Sequence, residues 1–130
     1  MPIKVTWDNE QKTILHVHVN GAWTWQEMET AIEQVFSLLD SVEHKVDTVF
    51  DATGAGPIPP NAFAYLRRMN RATHPNQDNV AVVGMTPLAR TLMNTFSKLY
   101  GLAKGSDTRF MATLDEARTY LSELRSRHDS

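Results

Sequence analysis

Asp51 is the carboxylate most open to chemistry in this chain. It stands near the end of an apolar, β-branched run at 46–52, which is followed by Thr53-Gly54-Ala55-Gly56-Pro57-Ile58-Pro59-Pro60-Asn61. A carboxylate at the end of a buried strand, before a glycine-proline loop, stands where open α/β sheets present their sites. It can accept a hydrogen bond from a ligand, or be satisfied by loop N–H groups, and the second arrangement is the commoner one. Gly54 and Gly56 suggest a phosphate loop. However, no Lys-Ser/Thr pair follows them and no third glycine completes a dinucleotide pattern. The prolines of the loop also remove backbone donors that would cradle an anion.

His16 and His18 alternate along another apolar run, so both imidazoles point the same way, about 7 Å apart. A metal would need a third ligand, and the chain has no His-Glu-x-x-His helix. Exposed or interface histidines are the simpler account. Arg67 and Arg71 stand one turn apart on an expected helix and could clamp an anion, though a solvated basic face explains them as well. Trp23, Trp25, Phe63 and Tyr65 can gather near the loop, either as core or as the lining of an apolar groove. No serine sits in a Gly-x-Ser-x-Gly turn, and the chain has no cysteine. Hydrolase, thiol and disulfide chemistry therefore lack support, and no cofactor is implied.

The elements that position these residues follow from hydrophobic period. Ile3, Val5 and Trp7 alternate with polar residues, as do Leu15, Val17 and Val19, which predicts an antiparallel hairpin. Thr24 and Glu27 form a capping box for a helix reaching about Leu39. The central strand and the loop come next. Asn61 is expected to cap a second helix carrying Tyr65, Leu66, Arg67 and Arg71. A strand is expected at 80–85, and Thr86-Pro87 opens a third helix whose apolar stripe begins Leu88, Leu92, Met93. A loop at 101–105 precedes a strand at 108–112. Thr113 with Glu116 caps a fourth helix that buries Ala117 and Leu121. The order β-β-α-β-α-β-α-β-α calls for right-handed crossovers and parallel pairing. With neighbours in sequence adjacent in space, every helix lands on one sheet face, leaving the other open with His16 and His18 on it.

That order resembles the STAS domain, and more closely the SpoIIAA-like, STAS/Sec14-type group of small bacterial proteins. The residues carrying the resemblance are Val17-His-Val-Asn-Gly21 before Thr24-Trp-Gln-Glu27; Val49-Phe-Asp51; Val80-Ala-Val-Val-Gly84; and Thr113-Leu-Asp-Glu-Ala117. It implies an α/β βα superhelix: a five-stranded mixed sheet, antiparallel at its first strand and then parallel, with four helices mainly on one face. It also implies non-enzymatic work, docking a protein partner. In regulatory members a phosphorylated serine sits where the central loop enters the next helix. Pro59-Pro60-Asn61-Ala62 offers no hydroxyl there, so that switch is not carried over. A Sec14-like reading would instead imply a small apolar or lipid-like ligand.

The expectation is one STAS-like domain over 1–125 with a polar tail at 126–130. Asp51, Thr53, Gly54, Gly56, Pro59, Asn61, Tyr65, Arg67 and Arg71 form its docking surface. Self-association is expected through the open sheet face. A net charge of -2 argues against nucleic acid as a partner. No apolar run spans a bilayer and the first residues lack a signal-peptide layout, which together read as a cytoplasmic protein rather than an integral membrane one.

Overall fold

A computed structural model describes residues 2–70, 74–100 and 108–129. Arg71 and the connection at 101–105 lie outside the described residues. The chain runs β1 (Ile3–Trp7), β2 (Ile14–Val19), α1 (Trp25–Asp40), β3 (Val46–Asp51), α2 (Ala62–Asn70), β4 (Gln77–Val83), α3 (Pro87–Tyr100), β5 (Thr108–Met111), α4 (Leu114–Asp129). The five strands lie in sequence order, β1 antiparallel to β2 and the rest parallel. This is the mixed α/β sheet the hydrophobic pattern predicts.

The helix starts are written locally. The Thr24 hydroxyl accepts the Glu27 N–H while Glu27 Oε1 accepts the Thr24 N–H, closing the capping box of α1. At α3 the Ala89 N–H donates to Thr86 Oγ1. At α4 the Glu116 N–H donates to Thr113 Oγ1, and the Glu116 carboxylate accepts from Ala112 instead of Thr113.

Two cores sandwich the sheet. Leu15, Val17, Val19 and Val46 pack under Trp25, Met28, Ala31, Val35 and Leu39 of α1, with Tyr65 and Leu66 of α2 alongside. Ile14, Val49, Ala81 and Val83 face the other way, against Ala117 and Leu121 of α4. The expectation that every helix shares one face is therefore corrected. The crossover rule governs only a helix that joins two parallel strands. It holds α1, α2 and α3 to one side; α3's Arg90 lies over the ring of Phe110, which pairs in register with Val82 and Phe50 of that same side. Among the described residues α4 joins no pair of parallel strands, and it covers β3, β4 and β5 from the second side. Arg118 reaches further and grips Asp8 with two bonds of 2.9 and 2.7 Å. The open face shrinks to the β1–β2 end, where it carries Lys4, Thr6, His16 and His18.

Three local expectations also change. β4 begins at Gln77 rather than at 80 and ends at Val83. Leu88 is 82% exposed, so the stripe of α3 does not start there. α4 continues to Asp129, past the expected end near Arg125. Among the described residues, no helix is long and apolar enough to cross a membrane.

Candidate functional site

Asp51 sits at the C-terminal end of β3, between two parallel neighbours, with only 6% of its surface exposed. Its Oδ1 accepts the Thr53 N–H at 3.0 Å and its Oδ2 lies 2.9 Å from His16 Nε2. Burial alone would push its pKa up. The hydrogen bonds from the Thr53 side chain and backbone, and then from His16, outweigh burial and hold it below the ordinary value. An ionised carboxylate only accepts, so His16 Nε2 is the donor. His18 Nε2 faces the Thr53 carbonyl at 3.2 Å and is likewise the donor. The two rings stack with centroids 5.6 Å apart. In both rings Nε2 is thus the nitrogen that carries the donated proton.

A buried carboxylate holding an imidazole is the orienting half of an acid–base relay. No hydroxyl or thiol bonds the Nδ1 of His16 among the described residues, and no group of three or more metal-ligating side chains occurs among them. The arrangement instead locks the start of the loop. Thr53 is tied by its N–H to Asp51 and by its carbonyl to His18. Gly84, at φ +74°, presses on it so closely that a Cβ would stand 2.7 Å from the Thr53 nitrogen.

The loop is then stitched to the segment that follows β2. The Gly21 N–H donates to the Gly54 carbonyl and the Gly56 N–H to the Gly21 carbonyl, both at 2.8 Å. Gly56 lies so near that a Cβ would meet the Ala22 Cα at 3.1 Å. The two glycines that suggested a phosphate loop therefore serve a backbone contact. Further along, Trp25 Nε1 donates to the carbonyls of Pro59 at 3.1 Å and Pro60 at 3.0 Å. Asn61 has φ +68°, a left-handed conformation that asparagine tolerates better than most residues. Its carbonyl accepts the Tyr65 N–H, so it does open α2, through its main chain.

Three of the four expected aromatic residues, Trp23, Trp25 and Tyr65, gather in one cluster. Tyr65 stacks on Trp25 at 5.4 Å, Trp23 meets Trp25 edge-on at 4.8 Å, and Arg68 lies over Tyr65 at 4.7 Å while pairing with Glu29. Ala55 and Ile58 pack down on the same cluster. Two shallow, open depressions lie on the outer side of α4, both bordered by Thr119 and Glu123.

Asp51, Thr53, Gly54, Gly56, Pro59, Asn61 and Tyr65 thus fall on one continuous stretch, and Arg67 is exposed on α2 beside it. Its expected clamp partner Arg71 is outside the described residues. The expected set omitted His16, His18, Gly21, Trp25 and Gly84, all of which build the site. The available signal was side-chain parity: His16, His18 and Asp51 share a face once β2 and β3 pair in parallel.

A family model described as SpoIIAA-like matches residues 14–122, which leaves β1 outside the match. A search of curated proteins returns no match.

Proposed function

The chain belongs to the SpoIIAA-like family, and from that premise we propose that it is a STAS-type interaction module that docks a partner protein through residues 53–60 and the exposed side of α2. The supporting observation is that the loop is held from beneath at Thr53, at Gly54 and Gly56, and at Pro59 and Pro60. A partner meeting a surface already fixed in shape spends little of its binding energy on ordering it. Thr53, Gly54, Pro57, Pro60 and Arg67 lie on the exposed side. Positions 59–62 carry no hydroxyl, so docking runs without a phosphoserine switch at that point. In this reading the module carries out no reaction. The Asp51–His16 pair is a brace for the loop, and the work takes place in the cytoplasm.

The test is affinity capture from the native host with the wild-type protein and with a triple variant, Pro59→Ala, Pro60→Ala and Arg67→Ala. Pro60 and Arg67 are exposed and Pro59 is half-buried, and the variant keeps the main-chain carbonyls that Trp25 and Gly21 use. A specific partner held by the wild type and lost by a folded triple variant is the expected result. A partner retained in full by the variant places docking elsewhere.

A further inference from the structure

Among the described residues, no strand pairs with the outer edge of β1. The Asp8 N–H donates to the Ile14 carbonyl and the Asn20 N–H donates to the Pro2 carbonyl, so the even-numbered residues of β1 point their main-chain groups inward, to β2. In an antiparallel ladder the residues between them point outward. Ile3, Val5 and Trp7 therefore offer N–H and C=O groups to the outside, and no other described residue takes them. Natural edges are guarded by short length, exposed lysines, a proline at an outward position, a bulge or an inward-pointing charge, and of these β1 has its 5-residue length and Lys4. Here Pro2 lies at an inward position, and β1 pairs with β2 in unbroken register.

We propose that β1 pairs antiparallel with β1 of a second copy about a two-fold axis at Val5, joining two five-stranded sheets into one. The side-chain pattern Ile3-Lys4-Val5-Thr6-Trp7 decides in favour of this occupant. Two-fold pairing at Val5 sets Val5 against Val5 and Ile3 against Trp7 of the second copy. All of these lie on the α1 side, where Val5 and Trp7 are only half-buried and gain cover. Aliphatic and aromatic cross-strand pairs of this kind favour the contact. On the opposite side Lys4 meets Thr6, so the two ammonium groups are kept apart. Packing two copies face to face would instead bring together two surfaces that each carry the exposed Lys4 ammonium. The edge contact leaves those open surfaces side by side and accessible. It uses neither the 53–60 loop nor α2, so it stands or falls independently of the docking proposal.

Sedimentation velocity across a concentration series tests it. The wild type should sediment at twice 14.7 kDa at high concentration. Thr6→Lys, on the exposed polar side, places an ammonium opposite Lys4 of the other copy and should return the protein to 14.7 kDa. Val5→Pro removes an outward N–H, a change that edge strands tolerate, and should do the same. Hydrogen exchange supplies the readout if Val5→Pro does not fold. The amides of Ile3, Val5 and Trp7 should slow by about ten-fold or more between dilute and concentrated wild-type protein, and not in Thr6→Lys. A wild type that stays at 14.7 kDa throughout, a dimer that survives Thr6→Lys, or outward amides indifferent to concentration would each overturn the proposal.

Discussion

Asp47 and Asp51 stand on the same side of β3, and both are buried, at 2% and 6% exposure. Their environments move them in opposite directions. Asp47 takes the Asn79 N–H at 3.0 Å, at the point where the β3–β4 register shifts. Burial outweighs that bond, and its pKa rises above the ordinary 3.8. The Asp51 pKa falls below it. A depressed carboxyl lends stability above its unfolded pKa and loses it as pH falls through the folded value; a raised one lends stability below its unfolded pKa and loses it as pH rises through the folded value. Asp51→Asn should thus cost about 1–3 kcal/mol at neutral pH in urea unfolding, since it removes an acceptor from a buried three-way set. That deficit should shrink once pH drops beneath the Asp51 pKa. Asp47→Asn should show the reverse trend, gaining on the wild type as pH climbs from about 4 towards 7, because the folded wild type must then ionise a buried group.

At the scale of elements, the turn that follows β4 governs the loop that follows β3. Gly84 and Gly21 both have positive φ, but a Cβ at Gly21 meets nothing within 4 Å whereas one at Gly84 meets the Thr53 main chain. Gly21→Ala should cost about 1 kcal/mol from its dihedral alone, and Gly84→Ala clearly more, as chemical denaturation of the pair would show. The comparison also separates what the sequence made legible from what it concealed. Capping boxes, strands and the apolar stripe of α1 were readable because their signals lie within a few residues. The bond between His16 and Asp51 was not, since it depends on strands 35 residues apart finding one register. Asp51 is recognisable as a strand-end carboxylate beside Thr53, while nothing local ties it to His16 on the open face. The loop's prolines and glycines announced stiffness; only the fold shows that Trp25 and Gly21 supply it.

For the whole molecule, the decisive element is the helix that the crossover rule leaves unconstrained. α4 buries Ala117 and Leu121 completely on the second face. Leu121→Ala should cost about 2–5 kcal/mol, a loss on the scale of core truncations rather than of a peripheral helix, measurable as a lowered urea midpoint. The same element ties Asp8 to Arg118, partners separated by 110 positions. During synthesis, β3 and β4 are therefore complete long before their cover exists. Val49, Ala81 and Val83 must wait, unshielded, until α4 has left the ribosome. A chain interrupted before α4 should therefore present Val49, Ala81 and Val83 to solvent and aggregate more readily than the full chain, as light scattering of the truncated protein would show.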